Sequence, residues 1–214
     1  MAKRKRITNE KVIGKLIKEG RGQGIGENYK PWILIQDVPS RGRATRLKGI
    51  KTNRQHEFLS DLERNNFYLL EYSDIVIDIR EQFPLLPLEE TTLIAKELGI
   101  KHPTDPITNE AIVMTTDFLV TVNRNGKDID IARTIKLKDD LNNKRVLEKF
   151  EIERRYWEKH DVKDLAIEYI KRVIDGTVSI REISNKFDDD LFLQRGTGIS
   201  LFKHLLMREV DCQH

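Results

Sequence analysis

A chain of 214 residues, 34% charged and 38% apolar, has room for one sizeable domain and a small appendage around a modest core. No apolar run approaches the roughly 20 residues of a membrane span, and the single cysteine, Cys212, excludes an internal disulfide, so a reducing, cytosolic compartment is expected. The net charge of +3 is too small to name a nucleic-acid partner by itself.

The N-terminus, MAKRKRITNE, is basic, but no apolar stretch follows it, so it does not read as a secretory signal. Basic residues crowd residues 1–54, among them Lys3, Arg4, Lys5, Arg6, Arg21, Arg41, Arg46 and Arg54. Such a segment is either a phosphate-contacting surface or a solvated terminus. Val12, Ile13, Leu16 and Ile17 share one helical stripe, with Thr8 or Asn9 available as cap, and residues 1–20 are read as a basic arm and helix. Gly22, Gly24 and Gly26 follow. No strand precedes them and the Gly-Lys-Ser/Thr of a phosphate loop is missing, so a hinge is expected rather than a nucleotide site.

PWILIQDVP reads as a strand and leads into a second basic, turn-rich segment. Residues 56–73, HEFLSDLERNNFYLLEYS, read as a helix. DIVIDIREQFPLLPL reads as a strand ended by Pro84 and Pro87. A short helix over ETTLIAKELGI stops at Gly99, and KHPTDPITNE is a loop. Met114–Val120 and Ile129–Leu137 read as two strands joined at Asn125-Gly126, a strong hairpin signal. A long amphipathic helix over 140–161 covers the second face of the sheet, and 162–167 reads as a further short strand. The remainder, with EYIKRVI, SIREISNKF and GISLFKHLLMREV, is helical in character. The order predicts an α/β core over residues 21–167 and a small all-α domain over 168–214.

The hairpin carries chemistry. Asp117 lies in its first strand and Lys136 near the end of its second, so folding at Asn125-Gly126 brings them to the same end of neighbouring strands. A buried acid or lysine costs several kcal/mol unless paired. One reading is a structural ion pair. The other is a nuclease site, in which carboxylates hold Mg²⁺ and a cation steers water or stabilises the phosphate. An acid on one strand and a residue-X-Lys triplet on the next is the arrangement of restriction-type nucleases. Glu63, in the helix before the first core strand, is either an exposed helical glutamate or a further acid at that site.

KEGRGQGIGENYKPW, LSDLE, DIREQFPLLP, GIKHP, MTTDFLV and LEKFEIERRYW occur in this order, and together they closely resemble the TnsA family over about residues 10–160. The family comprises endonuclease subunits of heteromeric bacterial cut-and-paste transposases. The resemblance implies a restriction-endonuclease-like mixed sheet flanked by helices, with a C-terminal helix-turn-helix or winged-helix-like domain. It implies cutting of the 5′ strands of double-stranded DNA at transposon ends, Mg²⁺ as cofactor with Mn²⁺ as substitute, a DDE-type transposase and an AAA+ ATPase regulator as partners, and no membrane association. Glu63, Asp117 and Lys136 carry over as the catalytic set, with Glu63 and Asp117 holding the metal. Thr134 stands where restriction enzymes often have Glu, so the main-chain carbonyl of Ile135 and water complete the shell, with Thr134 secondary. Arg80, Glu81 and Gln82 match a family motif near the site, where Gln82 either orients a ligand or caps a sheet edge. Lys101 and His102 either contact the cleaved strand or belong to a hydrogen-bonded loop, and Arg133 is placed to meet phosphate. Glu148 and Glu151 read as ordinary helix glutamates able to pair with basic groups. The segment after the RRYW helix is shorter than the family's. Two other readings stay open: a non-catalytic assembly module of the same complex, and a stand-alone nuclease.

Overall fold

The computed structural model describes residues 8–38, 43–136, 140, 142–160, 162–164, 179, 181, 182 and 184–186. The chain divides into two compact units, residues 1–162 and 163–214.

Helix α1, Glu10–Lys18, begins where the Asn9 side chain accepts from Val12 N–H at 2.9 Å. Its stripe of Val12, Ile13 and Leu16 packs with Trp32 and Val113. The glycine-rich connection is not the hinge its composition predicts. Gly22 N–H donates to Lys30 O at 2.6 Å, Lys30 N–H donates to Gln23 O at 3.2 Å, and Gly26 N–H donates to Asp78 at 3.2 Å. A Cβ on Gly22 would fall 2.2 Å from the Pro84 ring, so the close approach requires glycine there.

The strand expected over PWILIQDVP does not form. Asp37 offers the backbone a local alternative: its carboxylate accepts from Leu34 N–H at 3.0 Å and its N–H donates to Leu34 O at 2.9 Å, closing a turn. Arg21 clamps that turn through Asp37 and through Trp32 O. Ile35 N–H is taken by the Glu57 carboxylate at 2.7 Å. The strands come later. β1, Thr45–Lys48, pairs antiparallel with β2, Gln55–Phe58, in a separate two-stranded sheet. The helix expected from residue 56 therefore starts late, as α2, Asp61–Tyr72, because Ser60 caps it. Glu63 N–H donates to the Ser60 hydroxyl, and the Glu63 carboxylate reaches back to that hydroxyl at 2.8 Å and to Leu59 N–H at 3.0 Å.

The main sheet of the first unit follows the sequence closely. β3, Val76–Pro84, pairs antiparallel with β4, Thr115–Arg124, which pairs antiparallel with β5, Lys127–Arg133. The hairpin turns on Asn125 and Gly126, both at positive φ (51° and 79°). The ladders β1–β2, β3–β4 and β4–β5 are all antiparallel. Helix α3, Leu88–Glu97, ends before Gly99 at φ +66°, and α4, Lys144–Lys159, starts at an Asn143 cap. Successive strand residues face opposite sides. Leu119 packs with Leu85, Ile94, Ala132, Ile152 and Trp157 under α3 and α4, whereas Phe118 meets the Phe58 ring, itself 4.8 Å from Phe67 of α2. The result is a mixed α/β unit with helices on both faces of the sheet.

In the second unit, Lys163–Asp164 is a two-residue strand and residues 181, 182 and 184–186 are helical. The helices expected over EYIKRVI and GISLFKHLLMREV lie outside the described residues, as do Lys3–Arg6 and Arg41 of the basic arm. No helix among the described residues is long and apolar enough to cross a membrane.

Candidate active site

Asp117 sits near the start of β4, opposite Gln82 on the β3 ladder, since Glu81 pairs with Phe118 and Phe83 with Thr116. The segment Thr134-Ile135-Lys136 leaves the sheet after β5 and folds onto Asp117. Ile135 N–H donates to Asp117 Oδ2 at 2.7 Å, and Lys136 Nζ donates to Oδ2 at 2.9 Å and Oδ1 at 3.3 Å. One carboxylate thus pins the backbone and pairs with the lysine. Lys136 lies just past the strand rather than in it.

Glu63 enters from the first turn of α2. Its capping bonds orient the carboxylate, and Gln82 Nε2 donates to it at 3.4 Å. Burial, then the negative charge of Asp117, hold its carboxyl above the usual range. Burial works against the charge of Lys136, but Asp117, Glu153 and Glu63 outweigh it and raise the ammonium pKa. The three elements therefore feel one another electrostatically at one end of the sheet.

Glu153 of α4 was not anticipated. It is buried, and its Oε1 accepts from the hydroxyls of Thr116 and Thr134. Burial first, then Asp117, lift its carboxyl to about 7, against the pull of those hydroxyls and Lys136. A signal existed: Glu153 falls three residues before Tyr156 and four before Trp157, so it lies on the apolar stripe of α4, where an acid needs partners. Glu148 and Glu151, the acids weighed on that helix, pair instead with Arg145 and with Arg154.

Glu153→Gln would keep an acceptor for both hydroxyls and remove the titration. A carboxyl raised in the folded state makes the protein lose stability as pH climbs from about 4.5 to about 7. In chelator the variant is expected to be more stable than wild type near pH ~8, by up to about 3 kcal/mol, with the difference closing below pH ~5. Thermal melts across that range check this.

The remaining candidates separate. Gln82 joins the site, its Oε1 accepting from the Thr115 hydroxyl at 3.2 Å. Its neighbours do not: Arg80 pairs with Asp78 and Asp130, and Glu81 is enclosed by Arg54 and His56. His102 is tied to Pro103 O (2.9 Å) and to Thr91 of α3 (3.0 Å), with burial lowering its pKa, and Lys101 is exposed beside it. Arg133 lies opposite Phe118, and burial, then Arg124, depress its guanidinium pKa. Several of the N-terminal cations are spent internally: Arg21 on Asp37, Arg46 on Glu57 and Arg54 on Glu81. The basic surface expected over residues 1–54 is smaller by those three.

The donors that converge are hard oxygens: the carboxylates of Glu63 and Asp117, with Glu153 behind them. Among the described residues no three His, Cys, Asp or Glu side chains gather closely enough to hold an ion by themselves. A divalent ion here would need oxygens besides carboxylates, which suits Mg²⁺, an ion that keeps water in its shell. Mutual repulsion between Glu63 and Asp117 is what such a cation relieves.

The family model "TnsA-like endonuclease N terminal" matches residues 73–163, a range that includes Asp117, Lys136 and Glu153 and begins after Glu63. The model "TnsA endonuclease C terminal" matches residues 138–210. The chain is 48% identical over 162 residues to the Escherichia coli "Transposon Tn7 transposition protein TnsA", a match that covers 76% of this chain and 58% of that relative.

Proposed function

The chain belongs to the TnsA family, and on that premise we propose that it is the endonuclease subunit of a heteromeric transposase, cutting the 5′ strands of DNA at transposon ends. The observation that carries the proposal is the Lys136–Asp117 contact at one end of the sheet, with Glu63 near enough to feel both charges and the buried Glu153 beside them. In this reading the first unit is a restriction-endonuclease-like core and the second a small helical domain of the helix-turn-helix or winged-helix kind.

Glu63 and Asp117 would hold Mg²⁺, with the Ile135 carbonyl, water and secondarily the Thr134 hydroxyl completing its shell, and Mn²⁺ would substitute. When bound, the ion supplies an activated water and neutralises charge on the phosphate. The chain's own groups do the rest. Asp117 fixes the Thr134-Ile135-Lys136 segment through Ile135 N–H, so the Lys136 ammonium is held at the site. That ammonium orients the attacking water or stabilises charge on the scissile phosphate. Glu153 ties α4 to β4 and to the segment after β5 through the two threonine hydroxyls. Arg133, Lys101 and His102 are candidates for contact with the strand being cut.

The partners in this reading are a DDE-type transposase that processes the 3′ strands and an AAA+ ATPase regulator, all in the bacterial cytosol on DNA. The competing reading, an assembly module in which Asp117 and Lys136 form only an ion pair, predicts no hydrolysis. Co-purification with the transposase encoded beside it, followed by a strand-resolved cleavage assay, separates the two. The expected result is 5′-strand cutting only when both the partner and Mg²⁺ or Mn²⁺ are present. Intact 5′ strands in the assembled complex, or specific cutting by the isolated chain, would contradict the proposal.

A further inference from the structure

We infer that Gln82 is the positioning residue that orients the Glu63 carboxylate beside Asp117, an inference that rests on the nuclease reading above. Gln82 is 3% exposed and stands at φ +48°, in the left-handed region that crowds any residue bearing a Cβ. The backbone there does something a regular strand cannot. Arg80 and Phe83 lie three positions apart, yet the Arg80 guanidinium is 5.6 Å from the centre of the Phe83 ring. Strict alternation would send them to opposite faces. The strand reverses its facing at Gln82, and the reversal delivers the side chain to the first turn of α2.

The reversal is held from both sides. Inward, Glu81 is fully buried and gripped by Arg54 (2.8 Å to Oε1), His56 (2.7 Å) and Glu57 N–H (3.2 Å). Outward, the N-terminal loop closes on the same strand: Tyr29 Oη donates to Glu81 O at 3.0 Å and Trp32 N–H donates to Gln82 O at 3.2 Å. A disfavoured backbone so surrounded points to use rather than accident. Its product is a neutral amide that spans the site. Nε2 donates to Glu63 Oε2, Oε1 accepts from Thr115, and the residue is the cross-strand neighbour of Asp117. Among the described residues, the other hydrogen bonds to Glu63 are its own capping bonds, from Leu59 and Ser60. Gln82 is the group that ties that acid to the sheet bearing the other one.

Asn and Gly both accept a left-handed backbone, and neither reaches Glu63 as glutamine does. Gln82→Asn and Gln82→Gly therefore separate the backbone from the amide. Each is expected to melt close to wild type while Mn²⁺ affinity of the isolated chain and 5′-strand cutting with the partner both fall about tenfold or more. A residue that only packs would move the melting temperature and leave ion affinity alone. Wild-type affinity and cutting in both variants overturn the inference and leave the nuclease reading standing, provided wild type and Asp117→Ala differ. Unfolding of both variants also overturns it, because a role confined to orienting Glu63 does not hold the fold together. If wild type itself takes up no Mn²⁺, both readings fall together.

Discussion

Replacing Asp117 by alanine is expected to abolish 5′-strand cutting in the assembled complex, a loss on the order of 10³-fold. Three functions sit on that one carboxylate. In the proposed function it would be a ligand for the divalent ion; in the structure it holds Lys136 and fixes the backbone after β5 through Ile135 N–H. Alanine removes all three at once. Asp117→Asn keeps the acceptor for Ile135 N–H and loses the charge, so it tests the electrostatic part alone and should also be severely impaired. Complex assembly with the transposase should survive in both, because Asp117 lies at the site and its partners are Ile135 and Lys136. Strand-resolved cleavage beside a pull-down measures the two properties on the same preparation. Cutting at the wild-type rate by Asp117→Ala would remove the chemical basis of the assignment.

The largest expected loss of stability lies elsewhere, at Arg54. Its guanidinium donates to Glu81 and to Ile79 O, inside the fold and away from solvent. Glu81 is fully enclosed; burial would raise its pKa, but Arg54 and His56 prevail and bring it down to about 2. Among the described residues, Arg54→Ala leaves that acid with His56 and Glu57 N–H. Breaking a buried pair by removing one partner costs about 3–5 kcal/mol, which for a protein of this size is roughly a 10 °C fall in melting temperature. The pH dependence carries the opposite sign to that of Glu153. A carboxyl depressed in the folded state contributes stability that is complete above about pH 4.5 and is lost as pH falls toward about 2. Melts of wild type and Arg54→Ala should therefore differ most near neutrality and converge in acid. A constant difference across pH would show that the arginine acts through packing alone.

How much of this was legible beforehand depends on what kind of interaction decides each element. The hairpin was, because Asn125-Gly126 and the flanking apolar runs specify it locally, and so were α1 with its Asn9 cap, α3 with its stop before Gly99, and the body of α4. PWILIQDVP was not. Its apolar run suits a strand, but Asp37 and Arg21 capture its backbone, and Arg21 is distant in sequence. His56, Glu57 and Phe58 were absorbed into a helix because their strand partner, Thr45–Leu47, carries no alternating apolar pattern. Within the site, Asp117 and Lys136 were legible from the hairpin, and their ion pair is present. Glu153 was passed over in favour of the more exposed Glu148 and Glu151, although its spacing to Tyr156 and Trp157 puts it on the buried stripe; what spacing does not report is that Thr116 and Thr134 come to meet it there. The fates of Arg54 and Glu81 depend on a contact between β3 and the bend before β2 that no local pattern reports.

The proposition on which the rest depends is that carboxylates from a helix and from the sheet share one divalent cation. Calorimetric titration of Mn²⁺ into the isolated chain tests it without requiring turnover, DNA or a partner. Wild type should bind the ion, with Glu63→Ala weakening the binding and Asp117→Ala eliminating it. Heats that are the same in wild type and Asp117→Ala would contradict the account, whatever the family membership implies.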